Sequence, residues 1–349
     1  VTPEPPIRVL VIDDSVANRR AITRLLEAAP GVRVVDRAGD GEEGLRKAIA
    51  LQPDVITLDL EMPRLDGYGF LRLLAAHAPT PVIVLSSYRH PSDVFKALQL
   101  GAFDFVAKPR EAKGASMESV RAELVDKVRS VRFVRRPAAA IAPAAPPAAA
   151  PRSGGAGSME VVALGASTGG PPAVQRVLES LEGLPVCVLV AQHMPPRFTE
   201  AFAQRLDQAL PLRVMEARSG DPLEPGRVYI APGGAQLELA ASGARLELLV
   251  SRPAPADRHA PSVDRLFHSL AEHLGPRARA VVLTGMGEDG ARGVEALGRA
   301  GAEVWAEAEA TAVVFGMPQA AIATGRVNRV LPLDALGPAL ARALHGRRP

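Results

Sequence analysis

Ser167 stands where a side chain could do chemistry. It lies in Gly165-Ala166-Ser167-Thr168-Gly169-Gly170, after the apolar run 161–164 and before Pro171-Pro172 and a helical pattern. The stretch satisfies G-x-S-x-G, in which a sharp strand-to-helix turn presents a serine hydroxyl. A glycine-rich turn after a strand can equally cradle a phosphate at a helix N-terminus, or be a plain tight turn. A serine hydroxyl is a poor nucleophile without an adjacent base, and an imidazole base needs a third group to orient it. His193, after the apolar run 186–191 in "VAQHMPP", and Asp289, after 280–283 in "LTGMGEDG", supply both types. All three follow runs that read as parallel strands, so they fall on one rim where loops converge.

The order Ser…His…Asp differs from the Ser…Asp…His of the usual elbow fold, so a different fold is expected to reach the same chemistry. Glycines in Gly285-Met286-Gly287 let backbone N–H groups approach a developing oxyanion, and the Met286 and Thr168 N–H groups are the expected donors. The glycines around Ser167 read as clearance for a substrate backbone. His268 and His273 read as a solvated helix flank, His259 as a loop residue that either contacts substrate or, the favoured reading, lies at the surface, and Asp264, after Ser262, as a helix cap. Glu288 is set aside in favour of Asp289.

A second constellation lies nearer the N-terminus. Asp13 and Asp14 follow one apolar run, Asp59 a second, Ser86-Ser87 a third and Lys108-Pro109 a fourth. Carboxylates on one rim repel each other unless a cation sits among them, and oxygen-only ligands with open positions suit Mg²⁺. With Lys108 and Ser86 as donors, the group could stabilise a phosphoryl group on Asp59. Helix capping by these residues is the bland alternative.

The positioning elements follow from periodicity. Residues 7–12, 32–36, 54–58, 81–85 and 103–107 read as strands, and 15–28, 41–51, 66–76, 91–100 and 117–134 as helices. Five βα units predict a doubly wound parallel sheet over residues 1–133. Residues 134–158, almost wholly alanine and proline before a Gly/Ser end, have too few large apolar side chains to offset the entropy of ordering, so a flexible linker is expected. Residues 159–349 form a second α/β domain with buried parallel strands at 159–164, 185–191, 280–284 and 303–306. Helices are expected at 173–181, 198–210, 263–274 and 290–299, and a small antiparallel section between 212 and 250.

Composition narrows the function classes. The chain has 349 residues, a formal net charge of +3 and no basic block with interleaved aromatics, which disfavours nucleic-acid binding. No apolar run reaches the roughly 20 residues needed to span a bilayer, and no signal peptide is recognisable, so a cytoplasmic location is expected. The single cysteine, Cys187, reads as core.

The first half resembles the receiver domain of two-component response regulators, through "VLVIDDS", "DVITLDLEMPRLDG", "VIVLSS" and "FVAKP". The resemblance implies that Asp59 is the phosphoacceptor, that Asp13 and Asp14 hold Mg²⁺ with the backbone carbonyl of Glu61, and that Ser86 and Lys108 carry the switch. Phe105 occupies the place of the family's switch aromatic, where it could equally be packing. The second half resembles the catalytic domain of the chemotaxis protein-glutamate methylesterases, through "GASTGGP", "QHMP", "YIAPGG", "PSVDRLFHSLA", "LTGMGEDG" and "VVFGMPQAAI". This implies hydrolysis of γ-glutamyl methyl esters on chemoreceptors, with glutamine deamidation as a second activity and activation by a chemotaxis-type histidine kinase. Two positions depart from that family: Ala235-Gln236 stand where a histidine is common, and Ala312 where a cysteine is.

Two other readings compete. "GASTGG" resembles the turn of dinucleotide-binding dehydrogenases, but Tyr229 is followed four positions later by Gly233, not by the lysine that chemistry wants. A non-catalytic receptor-binding module would not need the Ser, His and Asp set.

Overall fold

The computed structural model describes residues 4–86, 91–109, 117–133, 160–243 and 245–345. The linker expected over 134–158, with Ser87 and Met159, lies outside them. Contacts divide the chain into two units, Val1–Val134 and Arg135–Pro349.

In the first unit five βα pairs alternate as β1 (Ile7–Ile12), α1 (Val16–Glu27), β2 (Val32–Ala38), α2 (Gly41–Leu51), β3 (Val55–Asp59), α3 (Gly67–His77), β4 (Val82–Ser86), α4 (Pro91–Gln99), β5 (Asp104–Ala107) and α5 (Arg121–Ser130). The strands form a parallel sheet in the order β2-β1-β3-β4-β5. Strands β3, β4 and β5 are buried throughout, because helices cover both faces of such a sheet. Side-chain oxygens of Ser15, Asp40 and Asp66 accept from backbone N–H groups in the first turns of α1, α2 and α3, which fixes where those helices begin.

In the second unit the elements run β6 (Val161–Ala166), α6 (Gly170–Leu178), β7 (Cys187–Gln192), α7 (Phe198–Ala209), β8 (Arg213–Glu216), β9 (Arg227–Ile230), β10 (Gln236–Ser242) and β11 (Arg245–Ser251). They continue as α8 (Val263–His273), β12 (Ala278–Val282), α9 (Ala291–Arg299), β13 (Glu303–Glu307), α10 (Met317–Ala323), β14 (Arg329–Leu331) and α11 (Leu333–His345). Seven strands form one parallel sheet, ordered β14-β13-β12-β6-β7-β9-β8. Among the described residues, the strands β10 and β11 make the antiparallel section.

The antiparallel section is therefore smaller than the sequence pattern indicates. The stretches "LRVMEA" and "GRVYIA" become β8 and β9 and extend the main sheet in parallel. Their short length hides this, since a four-residue run fits either kind of strand. Elements α10, β14 and α11 add to the strands and helices that periodicity predicts.

Strand β6 lies between β7 and β12, so the chain leaves β6 to one side of the sheet and returns on the other. Loops diverge at such a switch point, opening a crevice at the carboxyl ends of the strands. The β1/β3 neighbours play the same part in the first unit.

Candidate active site

Ser167 follows β6 directly and His193 follows β7 directly. Ala166 pairs with Gln192, so the register carried one residue on sets Ser167 beside His193. The His193 N–H donates to the Ala166 carbonyl at 3.0 Å, which extends the ladder to the histidine itself. Gln192 ties both residues together from below. Its Nε2 donates to the Ser167 carbonyl at 2.8 Å and to the His193 carbonyl at 3.3 Å.

Asp289 enters from the loop after β12. Its Oδ2 lies 2.8 Å from His193 Nε2. It is buried, whereas Glu288 beside it is exposed. Three further donors reach its carboxylate: Val263 N–H at 2.7 Å, Asp264 N–H at 3.0 Å and Ser262 Oγ at 2.9 Å. These are the cap and first residues of α8, where unpaired N–H groups and the helix dipole favour an anion. Burial by itself would raise this carboxyl, but the His193 hydrogen bond and charge and the helix N–H groups outweigh it. The group is held well below the usual carboxylate range.

The neighbouring loops meet Ser167 closely. Ser167 N–H donates to the Thr284 carbonyl at 3.0 Å. A Cβ placed on Gly285 would lie 2.8 Å from Ser167 Cβ and 2.3 Å from Met317 Sδ, so only glycine fits there. The loop bearing Met286 is thus held against the serine, and Thr168 beside it is buried. Behind it, the buried Glu307 accepts from Thr284 N–H at 2.8 Å. Thr284 Oγ1 in turn donates to the Thr168 carbonyl at 2.9 Å.

Three expectations change. Gly165 does not clear a path for substrate: a Cβ there would come within 2.4 Å of Val263 Cγ1, so the glycine lets α8 pack on β6. His259 is not a plain surface residue, for its ring stacks on His193 with centroids 4.3 Å apart and planes 7° from parallel. Its outer face remains exposed, while water lost from the inner face, then the His193 and Arg258 charges, push its pKa down. Asp264 is a cap, but of α9 rather than its own helix. Its Oδ1 accepts from Gly290 and Gly293 N–H groups at 3.0 and 2.9 Å, while Ser262 caps α8.

The sequence pattern alone does not assign Gln192, Ser262, Gln236 and Glu307 to these contacts. Gln192 and Ser262 stand inside the quoted motifs, next to His193 and at the start of α8, which is the only signal they gave. His268 is exposed on α8, away from these contacts.

In the first unit Ile12 pairs with Leu58, so the register brings Asp13 and Asp59 side by side. Oxygens of Asp13, Asp14 and Asp59 lie within 4.8 Å of one another, an all-oxygen set that fits Mg²⁺. Lys108 Nζ donates to Asp13 Oδ2 at 3.0 Å and to Asp59 Oδ2 at 2.5 Å. Burial raises the Asp59 carboxyl, Lys108 pulls it back, and Asp13 adds to the rise, leaving it above its usual value. Lys108 N–H donates to the Ser86 carbonyl at 2.7 Å, which joins the two switch candidates through the β4–β5 ladder. Glu61 N–H faces Asp59 Oδ1 at 3.4 Å. Phe105 is buried, with the Lys127 ammonium 5.0 Å from its ring centre.

Two family models match the chain: a CheB methylesterase over residues 162–340 and a response regulator receiver domain over residues 9–116. The chain belongs to the CheB family. It joins a receiver domain to a protein-glutamate methylesterase domain, a carboxylic-ester hydrolase. Among relatives, a protein-glutamate methylesterase/protein-glutamine glutaminase of Myxococcus xanthus is 61% identical over 343 residues, covering 98% of each chain. One from Geobacter sulfurreducens is 49% identical over 355 residues, covering 95% of each. The crystal structure of the Thermotoga maritima CheB methylesterase catalytic domain matches with a TM-score of 0.51 and 38% identity, over 53% of this chain and 98% of that one. Among the described residues, no helix of this CheB-family chain is long and apolar enough to cross a membrane.

Proposed function

We propose that Ser167, His193 and Asp289 hydrolyse glutamate γ-methyl esters on chemoreceptors, under the control of phosphorylation at Asp59. The observation that carries this reading is the 2.8 Å contact between His193 Nε2 and the buried Asp289 carboxylate, one strand from Ser167. An ionised Asp289 requires the proton on Nε2, which leaves Nδ1 of His193 as the base. Ser167 Oγ attacks the ester carbonyl while His193 takes its proton. The oxyanion is held by the Thr168 and Met286 N–H groups. His193 then protonates the departing methoxide, methanol leaves, and water repeats the sequence on the acyl-enzyme to free glutamate and Ser167. The same acyl-enzyme formed from a glutamine would release ammonia, the second activity named for the relatives.

In the receiver, Asp59 accepts the phosphoryl group, and Asp13, Asp14, Asp59 and the Glu61 carbonyl would hold Mg²⁺. When bound, Mg²⁺ neutralises charge on the phosphoryl oxygens. Lys108 and Ser86 carry the switch. The division that fits this reading is a receiver at 1–133, an Ala/Pro-rich linker at 134–158 and a catalytic domain at 159–349. Its partners are methyl-accepting chemoreceptors and a chemotaxis-type histidine kinase, and its compartment is the cytoplasm.

The test is methanol release from methyl-esterified chemoreceptor by the full chain and by Ser167→Ala, with and without acetyl phosphate and Mg²⁺. Release by the wild type that rises with acetyl phosphate, and no release by Ser167→Ala, is expected. Equal release from both proteins would overturn the assignment.

A further inference from the structure

Gln236 begins β10, some distance in sequence from Ser167, His193 and Asp289, and is completely buried. Its amide makes three hydrogen bonds, all to the segment that leads into α8. Nε2 donates to the His259 carbonyl at 2.8 Å and to Asp257 Oδ2 at 3.1 Å. Oε1 accepts from Ser262 N–H at 2.8 Å. The side chain therefore grips the segment on both sides of Ala260-Pro261.

Two of the three gripped residues, His259 and Ser262, touch the reacting set. His259 lies flat on the His193 ring, and Ser262 Oγ donates to Asp289 Oδ1. The other end of the segment is anchored separately. Asp257 also accepts from Arg265 Nη1 at 2.9 Å and from Ala254 N–H at 2.8 Å, and Arg265 pairs with Glu238 on β10. The segment is thus already tethered at Asp257, and what Gln236 adds is the placement of residues 259–262.

We infer that Gln236 is a positioning residue for the esterase, setting His259 against His193 and Ser262 against Asp289 through one buried amide. This rests on the assignment of Ser167, His193 and Asp289 proposed above. An amide suits the position because it donates twice and accepts once while carrying no charge. A carboxylate there would lose both donors and stand beside Asp257. A hydrocarbon would leave the His259 carbonyl and Ser262 N–H without their partner. Neutral imidazole, with one donor and one acceptor, would restore two of the three bonds.

The experiment measures how fast a fluorophosphonate probe labels the full chain, a reaction that needs an activated serine but no chemoreceptor. It is run with wild type, Gln236→Leu, Gln236→His and Ser167→Ala, beside kcat and KM for methanol release and a thermal melt of each. Gln236→Leu is expected to label about ten- to a hundredfold more slowly, the scale on which small misplacements cost rate. Its kcat should fall by the same factor with KM within about twofold. Gln236→His should recover most of the labelling rate. Wild-type labelling and kcat in a folded Gln236→Leu would overturn the proposal, as would a loss confined to KM. If Gln236→Leu does not fold, Gln236→His decides: kcat below a tenth of wild type in a folded protein would overturn it. Undiminished labelling in Ser167→Ala would instead refute the serine assignment, whatever the Gln236 variants do.

Discussion

Asp289 accepts hydrogen bonds from the start of the helix that carries Asp264, and Asp264 accepts them from the start of the helix that follows Asp289. Asp289, just before α9, takes N–H groups of Val263 and Asp264 at the start of α8. Asp264, in the first turn of α8, takes N–H groups of Gly290 and Gly293 at the start of α9. The exchange locks two helix N-termini together and fixes the carboxylate that faces His193. It also separates two roles, since only Asp289 contacts the histidine.

Asp289→Asn keeps an acceptor for the helix but cannot hold the Nε2 proton of His193 as a carboxylate does. A fall of about 10,000-fold in kcat is expected, as for the corresponding change in serine proteases. Asp264→Ala is expected to destabilise the protein by about 1–3 kcal/mol through lost caps, with a smaller loss of kcat. Methanol release and urea unfolding of the two variants separate these outcomes; equal kcat losses would contradict the division.

Two buried carboxyls give opposite pH dependences of stability. Asp289 is held below its ordinary value, so its stabilisation is complete above about pH 4 and is lost as pH falls through the lower folded value. Burial raises the Glu307 carboxyl despite the Thr284 and Thr311 hydrogen bonds. The folded state then keeps a proton that the unfolded chain releases, and stability is lost as pH rises above about 4.3 through the raised value. Glu307→Gln should therefore gain in melting temperature relative to wild type between pH 4 and pH 8. A relative loss over that range would refute this sign.

Gln192 is 1% exposed and supplies a donor to the carbonyls of both Ser167 and His193. Gln192→Leu leaves those donors missing and should cost about 1–3 kcal/mol of stability. A loss of about tenfold or more in kcat should accompany it, because the backbone carbonyls of Ser167 and His193 lose their shared tie. Unchanged kcat in a destabilised variant would limit Gln192 to a packing role.

Phosphorylation by acetyl phosphate should depend on Asp59 and on a divalent cation. Asp59→Asn, or excess EDTA with the wild type, should abolish the band shift on a phosphate-affinity gel and the stimulation of methanol release. A shift that persists in Asp59→Asn would locate the phosphoryl group elsewhere.

The receiver half was legible because most of its strands are apolar runs and acidic residues stand at the ends of β1 and β3. Ser167, His193 and Asp289 were legible for the same reason, each following a buried strand. The section between residues 212 and 250 was not, because β8 and β9 are four residues long and their parallel pairing is set by neighbours far away in sequence. The same limit applied to glycine. Gly165 is demanded by Val263, almost 100 residues later, and no local pattern carries that contact.

The sequence by itself determined the two α/β halves, the rims that bear the candidate residues and the residue types on them. Those depend on local periodicity and on side-chain chemistry written at strand ends. Only the tertiary structure decided that His259 stacks on His193, that Gln236 grips the segment carrying it, and that α8 presents its N-terminus to Asp289. Each of these is a contact between chain segments whose meeting is fixed by how helices pack on a sheet, so it exists only once the sheet has formed.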